Sequence, residues 1–134
     1  MKTILLFAVV ALASCAVSRD GPVPSDPDGD ALLADALAGR IAGAPVACVR
    51  ARDVRNTRSA GGNTILYDGP GRTLWVNHAR GSCPRILPWH AIRHRTIGTS
   101  LCTGELIRVF DPQSGIEYGG CSLGEFVPYT TPRG

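Results

Sequence analysis

Four cysteines, Cys48, Cys83, Cys102 and Cys121, are widely spaced along a chain of 134 residues. Spacing of this kind suits disulfides better than a metal, because structural zinc sites pair their ligands roughly two to four residues apart. No C-x-x-C step is present to support a redox role. Two structural disulfides are therefore expected, each contributing about 2–4 kcal/mol, mainly by restricting the unfolded chain. That is comparable to the whole stability of a small domain, so these four residues constrain the fold more than any other feature. Four cysteines allow three pairings. Their order along the chain favours Cys48–Cys121, tying the first strand to a late one, with Cys83–Cys102 closing an irregular segment.

Disulfides need an oxidising compartment, and the N-terminus reads as an export signal. Lys2 precedes the apolar run from Ile4 to Leu12, and small residues follow. The run is shorter than the roughly 20 apolar residues of a membrane-crossing helix. Leu12-Ala13-Ser14-Cys15 has the form of a bacterial lipobox, whose cysteine becomes the lipidated first residue of the mature protein. Ala11-Leu12-Ala13 also matches an ordinary A-x-A cleavage site, which would leave Cys15 as an unpaired thiol. Parity favours the lipobox: with Cys15 acylated, the four remaining cysteines can pair completely. Residues 1–14 are thus expected to be a signal peptide and Cys15 the lipidation site. Ala16, in place of Asp, points to the outer membrane, with the domain facing the periplasm.

Residues 15–29 are expected to be a lipidated flexible linker, since three prolines, two glycines and alternating Asp offer little apolar surface to bury. Residues 30–129 form the predicted domain, and 130–134 a tail. Charge divides the same way. Between Ala16 and Asp35 one arginine stands against five aspartates, a net of −4, whereas from Arg40 onward twelve arginines face six acids, a net of +6. The domain's cations are all arginine and are mostly scattered, Arg50, Arg52, Arg55 and Arg58 being the one cluster. Alternation places Arg50 and Arg52 on one face of a strand. The expected partners are the membrane, through the anchor, and an envelope protein or anionic envelope polymer. No nucleic acid and no cofactor is expected.

After Asp30, Leu32, Leu33, Leu37 and Ile41 recur at near-helical spacing, with Gly39 or Gly43 to end a short helix. From Pro45 the texture becomes β-prone. Val46 to Arg52 is one candidate strand. Thr64–Tyr67 and Thr73–Val76 flank the turn residues 68–72, and Leu106–Phe110 and Ile116–Tyr118 flank 111–115, predicting two hairpins. One further strand is expected near Ala91 to Thr96, and Phe126 to Gly134 is expected to fray. The fold class is mainly β: a small antiparallel sandwich or barrel with one short N-terminal helix, stapled by two disulfides.

The candidate chemistry is sparse. His78, His90 and His94 are the only histidines, and Arg93 and Arg95 interleave the latter pair, opposing a metal cation. Ser100 with His94 has no nucleophile elbow around it. Asp68, Glu105, Asp111, Glu117 and Glu125 lie at or near turns, where acids are common. Trp75, Trp89, His90 and His94 form a candidate ligand groove, with Tyr67, Phe110 and Tyr118 nearby. The preferred expectation is a non-enzymatic envelope module; a periplasmic small-ligand or metal-binding protein using that groove is the alternative.

Cys48 opening a strand, WVNHARGSCP at 75–84, LCTGELIRV at 101–109 and GGCSLGEFVPY at 119–129 together resemble a proteobacterial family of small exported four-cysteine proteins, a domain of unknown function. The likeness covers about residues 46–129. It centres on Cys102-Thr103-Gly104-Glu105-Leu106, where family members commonly carry Asp at the Glu105 position. The resemblance implies an envelope location and paired cysteines, and no activity.

Overall fold

The computed structural model describes residues 27–133. The expected signal peptide, Cys15 and most of the expected linker lie outside these residues. The described chain opens with helix α1 (Pro27–Leu37), which starts three residues before Asp30, after which the sequence predicted it. Proline suits the first helical position, where its missing N–H is not needed. Asp28 and Asp30 then place negative charge in the first turn, beside the positive end of the helix dipole. Gly29 is buried because α1 sits almost on the backbone of the next layer: a Cβ there would lie 2.5 Å from the Ala60 carbonyl oxygen. Three residues assigned to the linker from sequence thus form the helix's first turn. Gly39, in the left-handed region at φ 69°, ends the helix, and Arg40 Nε donates to the Ala36 carbonyl.

Ten strands follow: β1 (Ile41–Ala42), β2 (Cys48–Arg50), β3 (Asn56–Ser59), β4 (Thr64–Asp68), β5 (Thr73–His78), β6 (Ala91–His94), β7 (Ser100–Cys102), β8 (Leu106–Phe110), β9 (Glu117–Ser122) and β10 (Phe126–Thr130). Every pairing is antiparallel. A five-stranded sheet runs β1-β10-β5-β4-β3, a three-stranded sheet runs β6-β8-β9, and β2 pairs with β7. The fold is mainly β, with one helix and two disulfides.

The five-stranded sheet is buried on both faces. Leu66, Leu74 and Val76 pack toward Leu33, Ala36 and Leu37 of α1. Ile65, Tyr67 and Phe126 point the other way, onto Val49, Leu101, Ile107, Val109 and Cys121 of the two small sheets. Burial on both sides explains why β4 reads Thr-Ile-Leu-Tyr without polar alternation. The layers are therefore helix, large sheet, small sheets.

Both predicted hairpins form. In the second, Asp111 Oδ1 accepts the backbone N–H groups of Gln113 and Ser114, which organises the turn and holds this carboxyl below the usual range. Three expectations need correction. Ile41 is strand, not helix, paired with Thr130 once Gly39 has turned the chain. Residues 126–130 do not fray: β10 lies between β1 and β5, and Phe126 is fully buried. Pro128 is tolerated there because its carbonyl accepts from Gly43 N–H at 2.7 Å, so its donorless nitrogen faces the short β1 side.

The third correction is the cysteine pairing, which is Cys48–Cys102 and Cys83–Cys121. Cys48 and Cys102 lie opposite each other in the β2–β7 ladder, with Cα atoms 4.1 Å apart. Cys121 turns inward from β9 and is met by Cys83 from the segment after β5. The C-x-G-acid step closes β7: Gly104 has φ 87°, Glu105 N–H donates to the Cys102 carbonyl, and Glu105 Oε2 accepts Cys102 N–H at 2.8 Å. Gly104 therefore supplies the left-handed residue of a type II turn, and the acid closes the turn by reaching back to it.

Candidate functional site

The structure divides the predicted groove into two groups. Trp75 and Tyr67 are cross-strand neighbours in the large sheet, and Trp75 packs against the main core. Tyr67 is buried, and its hydroxyl lies 2.9 Å from His94 Nε2. Burial raises the Tyr67 pKa far above its ordinary value, so the phenol stays protonated and shares one hydrogen bond with Nε2. Burial also lowers the His94 pKa, partly opposed by the charge of Glu105. His94 is thus a neutral, core-lining imidazole at neutral pH.

His90 belongs elsewhere. Its Nδ1 accepts Leu87 N–H at 3.1 Å, and its ring stacks on Tyr118 with centroids 4.6 Å apart. Trp89 meets that ring edge-on and is 64% exposed. The two histidines hold different partners, and among the described residues no group of three His, Cys, Asp or Glu side chains is arranged around a metal-sized space. Ser100 stands opposite Arg50 in the β2–β7 ladder.

The pair of Tyr67 and His94 makes stability depend on pH. A histidine whose folded pKa lies below its ordinary 6.5 binds protons more readily when unfolded. Stability is complete above that value and is lost as pH falls from 6.5 through the folded pKa. His78, whose Nδ1 lies 3.0 Å from Thr64 Oγ1, is shifted in the same direction by desolvation. The melting temperature should therefore fall between pH 7.5 and pH 5, and His94→Gln should flatten that fall in part. An unchanged slope in this variant would remove His94 from the account.

The exposed chemistry gathers on the outer face of the three-stranded sheet. Ile92, His94, Ile107, Val109 and Cys121 use the inner face, so alternation turns Arg93, Leu106, Arg108 and Phe110 outward. Arg95, whose N–H donates to the Leu106 carbonyl, continues that row. Arg93 and Arg108 are directly opposite in register, an arrangement that costs stability through like-charge repulsion. They separate: the Arg93 guanidinium lies 4.7 Å above the Phe110 ring and 3.9 Å from Glu117, while Arg108 extends along Gly120. Arg95 and Arg108 have no acidic partner among the described residues. Trp89, Ile116 and Tyr118 are exposed at the hairpin end of this sheet, where Trp89 and Tyr118 both contact the His90 ring.

The arginine cluster legible in the sequence takes a different form. The chain leaves β2 at Arg50 and turns through a 3-10 segment (Ala51–Asp53), so Arg50 and Arg52 do not share a strand face. They border a surface depression of about 450 Å³ with Ala51 and Thr99. Asp53 engages both, at 2.9 Å from Arg50 and 3.9 Å from Arg52. The Arg93, Arg95 and Arg108 face was missed from sequence because only the β6–β8 pairing brings Arg108 beside the other two.

Compared with known proteins, the chain matches no protein-family model, no curated protein and no solved structure.

Proposed function

We propose that this protein is a lipid-anchored, non-enzymatic module of the bacterial cell envelope, facing the periplasm from the outer membrane and presenting a rigid β domain to a partner there. Membership of the four-cysteine family that residues 46–129 resemble is part of the same proposal. The observation that carries it is the cysteine inventory. The four domain cysteines satisfy one another in two disulfides, so they need no fifth, and lipidation accounts for Cys15 at the end of the lipobox. The outward arginine and aromatic face gives the module its means of contact. The alternative of one small-ligand groove built from Trp75, Trp89, His90 and His94 has less support, because these residues engage Tyr67 and Tyr118 in two separate groups.

The test is Cys15→Ser in the bacterium. The variant is expected to lose incorporation of a fatty-acid analogue and to move from the membrane to the soluble fraction, with the domain still folded. Labelling and fractionation like the unsubstituted protein would overturn the anchoring.

A further inference from the structure

Outside the core, three surfaces stand out: the depression at Arg50 and Arg52, the exposed residues of α1, and the outer face of the three-stranded sheet. In the first, one acid already serves both cations. The second carries Asp28, Asp30 and Asp35 and no cation within the helix. The third combines features that point to one kind of partner. We infer that the face formed by Arg93, Arg95, Leu106 and Arg108, with exposed Trp89 and Tyr118 at the hairpin end of the same sheet, docks onto an anionic phospholipid surface. This deepens the proposed function and takes the anchored state from it.

Charge complementarity carries the inference. Of the three outward arginines only Arg93 has an acid at its guanidinium, Glu117, so Arg95 and Arg108 leave positive charge on the face, with Glu105 and Asp111 at its two ends. Arginines at an anionic bilayer each contribute about fivefold in affinity, the equivalent of about 1 kcal/mol. Arg93 and Arg108 face each other across the ladder with their side chains turned apart, and lipid phosphates placed between the two would offset the repulsion that like charges in register carry. Leu106 is 54% exposed between these cations, and Trp89 and Tyr118 have the amphipathic rings that settle at the headgroup level of bilayers. Long arginine stems beside apolar side chains suit the same boundary, with the stem in the apolar zone and the guanidinium among phosphates.

The layers orient the domain. The acidic helix and the basic face lie on opposite sides of the large sheet, so an anionic surface attracts one and repels the other. The eleven residues 16–26 between Cys15 and α1 can reach at most about 40 Å, roughly the width of a domain of this size. The anchor therefore permits the basic face to turn back to the membrane that holds it. Tethering at short range raises the local concentration enough for a face of three arginines to remain seated.

The experiment separates docking from anchoring by using the chain from residue 15 onward with Cys15→Ser, which contains every described residue and cannot be acylated. It is mixed with phosphatidylcholine vesicles, with or without phosphatidylglycerol, and followed by co-sedimentation and tryptophan emission. The chain has two tryptophans and Trp75 packs on the core, so a blue shift reports on Trp89. The expected result is binding and a blue shift only with phosphatidylglycerol, weakened by salt. Arg93→Gln with Arg108→Gln should weaken binding about 25-fold, from two arginines at about fivefold each. Arg58→Gln, whose arginine pairs with Asp68 on the far sheet, should leave it unchanged. Equal binding to neutral vesicles, no binding to either, an equal loss in the Arg58 variant, or sedimentation with peptidoglycan in place of vesicles would each overturn the assignment. None of these outcomes bears on whether Cys15 is acylated, which the labelling experiment reads separately.

Discussion

Replacing Cys48 with serine is expected to release one thiol, on Cys102, and to lower the stability of the domain by about 4 kcal/mol on the loop-entropy relation. The bridge spans 54 residues of sequence, so its loss frees a long loop in the unfolded chain. Cys48 itself is exposed, so serine leaves no hole in the core and the cost falls mainly on the unfolded state. Cys83→Ser should instead release Cys121 and cost slightly less on the same relation, because its bridge spans 38 residues and the freed Cys121 thiol stays in apolar surroundings. Alkylation of the denatured protein followed by mass spectrometry reads both outcomes. Alkylation of Cys121 in the Cys48 variant would restore the pairing expected from sequence order and contradict the β2–β7 register. Reduction of both bridges should leave a domain that is no longer stably folded, since typical domains hold only about 5–15 kcal/mol.

The second large effect is expected at Asn77. This side chain is fully buried in β5, where its Nδ2 donates to the Gly124 carbonyl at 2.8 Å and its Oδ1 accepts Gly124 N–H at 2.9 Å. Gly124 itself has no room for a Cβ, which would press on the His78 carbonyl oxygen. Asn77→Ala strands the Gly124 N–H in the interior, while Thr103 Oγ1 still donates to the carbonyl at 3.1 Å. A buried unsatisfied donor costs about 1–3 kcal/mol, and the vacated volume adds to it. A loss of about 3 kcal/mol is expected by chemical denaturation at neutral pH. A loss below about 1 kcal/mol would mean that water replaces the amide and that the corner between β9 and β10 does not depend on this side chain.

What the sequence made legible follows from the range of the interactions concerned. The hairpins at 68–72 and 111–115 were readable because turn chemistry is local: Asp111 bonds to backbone groups two and three residues away. The helix was readable too, although Leu32 of its apolar stripe is exposed and Ile41 joins a sheet. β10 was not readable. A segment ending in prolines near the chain terminus has no local reason to be a strand, and what makes it one is Phe126 in the core and five register partners on β5. The cysteine pairing was hidden for a similar reason. β7 is three residues long, too short to announce itself, and only its pairing with β2 brings Cys102 to Cys48. At the candidate face, Arg93 and Arg95 were visible as neighbours of the histidines, but Arg108 joins them only through the β6–β8 ladder.

The two bridges interleave along the chain, in the order Cys48, Cys83, Cys102, Cys121 with first joined to third and second to fourth. Any single peptide cut between Cys48 and Cys121 therefore leaves both fragments joined by at least one bridge. A protease acting on an exposed loop such as that at Ile97 or Pro112 would nick the domain without shedding a piece. A cut between Cys15 and Cys48 would meet no such linkage, and would part the stapled body from whatever holds its leading end. Detachment and degradation are thereby assigned to different stretches of one short polypeptide.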